Sequence, residues 1–298
     1  MPADPEFPEL VNGTWAKNTR KAPYCFVLPA NSDELARTLT ALQSRSAGDG
    51  AGDWHVAIRS GGHGSDNSNN IDTGVTIDLS RFNGTTYDPQ TKVASVGTGA
   101  RWLDVYVELE KQGVTVTGGR QGIVGVGGFV LGGGNSWYTP RTGFTCDTVV
   151  NFEIVLPTGE LINANSSSHK DLWRALKGGS SNYGVVTRFD LETIPTSNLS
   201  VTTRTFDLNH SEAFADAFVG FTELDEPTHA DTLLAYMTHG PELNQTIIQL
   251  TEVNTLNENT TSFDAFNDIP AFPKAPTTHV SERLIDNAND SSVAASTL

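Results

Sequence analysis

Cysteine is almost missing from this chain, which has only Cys25 and Cys146 in 298 residues. Two thiols exclude a disulfide scaffold and any metal site built on several cysteines. They can form one bridge or stay as two free buried thiols. Long apolar runs are missing too, which excludes a membrane-spanning helix. Basic residues are scarce, 19 Lys and Arg against 35 Asp and Glu, for a net charge of −16. That balance argues against nucleic acid or an anionic membrane as a partner. An anionic ligand must then be held by backbone dipoles and a few chosen cations. No lysine directly follows a glycine, so a phosphate-binding P-loop is excluded. The glycines at 97–99, 125–128 and 132–134 never complete G-x-G-x-x-G, and neither G-x-S-x-G nor H-E-x-x-H occurs. A Rossmann fingerprint, a hydrolase nucleophile elbow and a zinc protease are disfavoured together.

What the chain has instead is glycine in two concentrated stretches. The first is Arg59-Ser60-Gly61-Gly62-His63-Gly64, entered from the apolar run His55-Val56-Ala57-Ile58, which reads as a strand. Adjacent glycines permit angles and approaches that a Cβ blocks, so this turn can aim backbone N–H groups at a phosphate. Arg59 can add a planar cationic fork. On its own the hexapeptide reads equally as a surface turn with an incidental histidine. The second stretch is Gly118 to Gly134, too dense in glycine for an ordinary helix or strand interior.

Around these stretches the elements alternate. Residues 1–23 form a proline-bearing lead-in, and Tyr24–Leu28 reads as a strand. A helix capped by Asn31 or Ser32 follows, with Leu35, Leu39 and Leu42 on one face, and the glycine-rich segment 47–52 ends it. Strands are expected at 75–79, 93–97, 114–116, 149–156, 160–164 and 185–194. A helix from Arg101 to Gln112 turns Leu103 and Val107 inward, with Val105 and Leu109 as further inward candidates, and a short one covers 171–176. Past Pro195 glycine nearly disappears. A strand at 200–206, a helix near 211–224 and strands near 233–237 and 245–252 open a second α+β domain, followed by a polar, unstructured tail. There is no internal repeat.

Taken together, four motifs resemble the oxygen-dependent FAD-linked oxidases of the berberine-bridge-enzyme-like group. They are Arg59-Ser-Gly-Gly-His63, Val124-Gly-Val-Gly-Gly128 with Leu131-Gly-Gly-Gly134, Arg141-x-Gly143-Phe-x-Cys-Asp147 running into Val149–Leu156, and Asp171-Leu-Trp to Gly184. The match covers roughly Tyr24 to Ile194 in the family's order. It implies an α+β chain with a two-lobed FAD-binding domain of the PCMH (vanillyl-alcohol-oxidase) type at 24–196 and a partial substrate-binding domain at 197–298.

The resemblance further implies FAD as cofactor, with Arg59, Ser60, Gly61, Gly62, His63 and Gly64 around its pyrophosphate. His63 matches the histidine that bonds covalently to the flavin 8α-methyl. Gly122, Val126, Gly127, Gly128 and Gly132 would line the other side, with Asp147 and Val155 along it. The cysteine that gives some members a second covalent link is replaced by Gln121, so one link is expected. The implied reaction is oxidation of a small alcohol, sugar or secondary metabolite by hydride transfer to flavin N5, with O2 reoxidising the flavin, in a monomer. Compared with the family the chain looks C-terminally truncated, and the alternative is a catalytically silent flavin-binding fragment. No catalytic base and no metal ligand is assigned. Asn-x-Ser/Thr acceptors at Asn12, Asn83, Asn165, Asn198, Asn209, Asn244, Asn259 and Asn289 lean toward a secreted glycoprotein, while no signal peptide is visible at Met1, so localisation stays open.

Overall fold

Apolar runs early in the chain become the strands of a small parallel sheet. The computed structural model describes residues 1–43, 55–66, 68–224, 229–240 and 244–296. It opens with helix α1 (Phe7–Asn12), strand β1 (Cys25–Val27) and helix α2 (Ser32–Gln43). Strands β2 (His55–Arg59) and β3 (Gly74–Asp78) complete a three-stranded sheet in the order β1-β3-β2, paired in parallel throughout. Asn31 starts α2: its side-chain oxygen accepts the Glu34 N–H at 2.9 Å, while the Glu34 carboxylate accepts the Ala30 N–H at 2.8 Å. This reciprocal cap satisfies donors that a helix start leaves open. Leu35 and Leu39 then fall on Val75, Ile77 and Leu79. The expected glycine-rich stop at 47–52 lies outside the described residues.

Strands β4 (Thr85–Asp88) and β5 (Val93–Gly97), helix α3 (Trp102–Glu110), strand β6 (Val114–Val116) and helix α4 (Val126–Leu131) come next. Helix α5 (Thr139–Thr142), strands β7 (Val149–Val155) and β8 (Leu161–Asn165), helix α6 (Lys170–Leu176) and strand β9 (Val185–Pro195) follow. These strands form an antiparallel sheet in the order β4-β5-β9-β7-β8, with β6 paired to β9. Two expectations are corrected here. In α3 the candidates Val105 and Leu109 are inward, joined by Trp102 and Tyr106, while Val107 is exposed and Leu103 only half-buried. The i, i+3, i+4, i+7 spacing starts at Trp102, whose aromatic bulk outweighs the two aliphatics. And part of the glycine-dense stretch is helical after all: α4 carries Gly127 and Gly128 in its first turn, and Gly127 packs against Ser60 and Thr98 too closely for a Cβ.

The chain divides into two compact units, residues 1–136, 144–195 and 288–298 in one and 137–143 and 196–287 in the other. In the second unit β10 (Leu199–Asp207), α7 (Ser211–Thr222), β11 (Asp231–Gly240), β12 (Gln245–Asn254) and β13 (Thr278–Glu282) build an antiparallel sheet ordered β11-β12-β10-β13. Phe206, Ile248 and Leu250 pack against Phe214 and Ala217 of α7 and against Phe263 and Phe266. The polar tail is helix α8 (Leu284–Ser296), with Leu284 and Ala288 buried one turn apart. The unstructured reading is overturned because two well-spaced apolar residues suffice to seat a polar helix. Cys25 and Cys146 are free thiols. Among the described residues no helix is long and apolar enough to cross a membrane.

Candidate functional site

Strand β2 delivers the chain into the first glycine turn. The Arg59 carbonyl accepts the Leu79 N–H at 2.8 Å, which fixes the strand end against the next segment. Gly62 then takes φ +64°, a left-handed value that a side chain resists. Gly61 lies against Gly125 of the second glycine stretch so closely that a Cβ on either would run into the other's Cα. Ser60 Oγ donates to the Thr98 carbonyl at 2.6 Å and accepts the Gly127 N–H at 3.2 Å. Arg101 Nη1 donates to the carbonyls of Gly61 and Ile123 at 2.5 and 2.6 Å. Segments far apart in sequence are thereby fastened side by side, backbone to backbone.

Beside this seam lies a cavity of about 530 Å³. Its walls include Ser60 to Gly64, Thr98, Gly125, Gly127, Gly128, Phe129, Ser180 and Val186. Among the described residues no Lys or Arg lines it. The backbone N–H groups of Gly61, Gly62, His63 and Gly64 meet no acceptor among the described residues. Open donors on a glycine turn can cradle an anion without a cation. A second cavity of about 470 Å³ is bounded by Trp15, Arg101, Asp104 and Gly122, and it shares Gly61 and His63 with the first.

His63 therefore stands in both walls. Its Nε2 is buried and has no hydrogen-bond partner. Burial, and then the nearby Arg101 guanidinium, hold its pKa below the ordinary 6.5, partly offset by a hydrogen bond to its own backbone. At neutral pH the ring is an uncharged imidazole with a free nitrogen, the form that acts as a nucleophile.

The structure sorts the other expected residues. Ser60, Gly61, Gly62, Gly64, Gly127 and Gly128 lie in the wall of the first cavity, and Gly122 in that of the second. Arg59 does not reach either cavity. Its guanidinium is buried against Asp78 at 2.6 Å, donates to the Leu10 carbonyl at 2.5 Å and stacks over the Phe26 ring. An interior carboxylate outcompetes any ligand for that fork, so the expected diphosphate clamp is corrected to a structural ion pair. Val126 is buried inside α4, and Gly132 lies outside both linings. Asp147 accepts the Phe144 N–H at 2.9 Å in a turn of its own, and Val155 packs with Leu35 in the core of the small sheet. Arg101, Thr98, Ser180 and Trp15 were missed: no spacing rule marks a lone Arg or Trp, and Thr98 between Gly97 and Gly99 and Ser180 after Gly179 read as ordinary turn residues. Among the described residues no His, Cys, Asp and Glu cluster could hold a metal ion.

The free N–H groups, the glycine seam and the unpartnered His63 nitrogen fit a long anionic ligand with an electrophilic end. Known proteins point the same way. Residues 23–165 match a family described as FAD binding domain. An FAD-dependent monooxygenase of Aspergillus calidoustus is 39% identical over 216 residues, covering 72% of this chain and 41% of that protein. An uncharacterized FAD-linked oxidoreductase of Arthroderma benhamiae is 34% identical over 227 residues, 76% of this chain and 44% of that one. The chain thus spans less than half the length of these curated relatives. Among solved structures, wild-type BBE-like 1 of Physcomitrella patens superposes with a TM-score of 0.80 at 21% identity, over 95% of this chain and 59% of that one. The 6-hydroxy-D-nicotine oxidase of Arthrobacter nicotinovorans gives 0.81 at 16% identity, over 100% and 63%.

Proposed function

We propose that this chain, which carries the FAD binding domain of the FAD-linked oxidases related to berberine bridge enzyme, holds FAD in the glycine-walled cavity and attaches it through His63. The observation that carries the reading is the buried, unpartnered Nε2 of an imidazole kept neutral by its surroundings in the wall of that cavity. The N–H groups of Gly61 to Gly64 receive the diphosphate, and the Gly61–Gly125 seam brings bare backbone against it. Gly127 and Gly128 lie in the wall of the same cavity, and open space stands where a Cβ on Gly128 would be. When bound, the flavin supplies the hydride acceptor, N5, and the centre from which dioxygen removes the electrons. Residues 24–196 hold the cofactor in this reading, and residues 197–298 contribute to a substrate-binding domain. The substrate is a small alcohol, sugar or secondary metabolite, in line with the oxidases and monooxygenases among the similar proteins.

The test is to express the chain, precipitate it in acid and examine the washed pellet for flavin colour and fluorescence. Flavin that stays with the protein and is lost in His63→Ala supports the reading. Flavin released to the supernatant means a non-covalent site, and no flavin in either fraction overturns the assignment of the cavity. Dioxygen uptake with a panel of alcohols and sugars separates a working oxidase from a chain that only holds flavin.

A further inference from the structure

The wall behind His63 is built by residues that come before the glycine turn in sequence. Trp15 lies parallel to the His63 ring, with centroids 4.8 Å apart and an interplanar angle of 10°. Its backbone N–H donates to the Gly62 carbonyl at 2.9 Å, so the residue is tied to the turn at two points. The segment leading to it is tied as well. Arg59 Nη1 donates to Leu10 at the end of α1, and a Cβ on Gly62 would press on the Gly13 carbonyl at 3.0 Å. Yet the Trp15 side chain gains little burial from this placement, since the residue is 51% exposed. An indole held half in solvent against one imidazole face has a geometric consequence. It blocks rotation of the ring out of its plane.

We propose that Trp15 is a positioning residue for His63, setting the imidazole plane from which flavin attachment proceeds. The inference rests on the reading that His63 is the attachment point. In that step one C–N bond replaces one N–H bond of the imidazole and one C–H bond of the 8α-methyl. The two hydrogens with their two electrons end on dioxygen as hydrogen peroxide. Trp15 takes no part in this exchange. It fixes the angle of approach, and small errors of angle or distance are costly when the reacting atoms must meet in line. The stack is also the kind of offset aromatic contact that stabilises one ring orientation over others.

The experiment compares the unsubstituted chain, Trp15→Ala, Trp15→Phe and His63→Ala, each mixed as purified protein with FAD in air. Acid-stable flavin is followed over time, alongside total FAD retained before acid and thermal melting by circular dichroism. The expected result is attachment about tenfold slower in Trp15→Ala, with FAD retention and melting unchanged, and largely restored in Trp15→Phe. A merely structural tryptophan would lower retention, melting and attachment together. Attachment in Trp15→Ala at the unsubstituted rate overturns this proposal alone. Absence of acid-stable flavin in the unsubstituted chain overturns the His63 reading and the role of Trp15 with it.

Discussion

Two arginines decide the chemistry around the turn at the scale of single residues. Arg59 sits within the glycine motif but faces inward, 3% exposed, against Asp78 at 4%. Asp78→Asn would leave that guanidinium buried without its charge partner. A loss of about 3–5 kcal/mol is expected in urea unfolding, much of it recovered in the double variant Arg59→Met with Asp78→Leu. A loss under about 1 kcal/mol would show the pair to be solvated. Arg101 stands outside the motif, yet it bridges Gly61 to Ile123 and, after burial, is the main influence on His63. The sign of the resulting pH dependence follows. The unfolded imidazole titrates near 6.5, and the folded one below that value because the folded state disfavours the charged ring. The stability tied to neutral His63 is therefore complete above pH 6.5. It declines as pH falls below 6.5 and levels off beneath the folded midpoint. An NMR titration of the His63 ring in the apoprotein should place its midpoint below 6.5, and in Arg101→Gln closer to 6.5. A midpoint at or above 6.5 in the unsubstituted protein would sink both statements.

Among the elements, the two glycine loops behave as a single part. Gly61→Ala and Gly125→Ala each place a methyl where the opposite backbone stands, so either should force the loops apart. FAD binding, read by quenching of flavin fluorescence, should weaken by about tenfold or more, with little difference between the two variants. Gly128 provides the contrast, because nothing of the protein lies within 4 Å of a Cβ built there. Gly128→Ala in helix α4 should raise stability by about 0.5–1 kcal/mol. If it also weakens FAD binding, the methyl is meeting the ligand rather than the fold. The sequence made part of this legible. Apolar runs marked β2, β3, β5, β7 and β9 because those strands carry the buried core. Strand β4, Thr-Thr-Tyr-Asp at a sheet edge, has no such run and reads as turn. Helix α4 was hidden by its glycines, whose low helix propensity is overridden where tight packing against Ser60 and Thr98 fixes the backbone. The glycine turn and His63, legible in sequence as a candidate site, lie in the wall of the first cavity. The inward direction of Arg59 was not, because a buried carboxylate nineteen residues downstream decides it.

The whole molecule carries a net charge of −16 and would bind a ligand that is itself a polyanion. Its long-range field would oppose encounter, while capture, on the function proposed here, would rest on short-range dipoles of the glycine turn. These two contributions respond differently to salt. Screening shortens the reach of the repulsion from about 30 Å at 0.01 M to about 8 Å at 0.15 M ionic strength. Hydrogen bonds from Gly61 to Gly64, shielded within a cavity, change far less over the same range. Association of FAD with the apoprotein should therefore speed up, by about two- to tenfold, between those two salt concentrations, while dissociation stays nearly constant. Stopped-flow fluorescence gives both rates directly. A site built on cations would show the reverse, with association slowing as salt rises. That outcome would mean that arginines such as Arg101 engage the phosphates and that the cationless wall of the first cavity is not where the diphosphate rests.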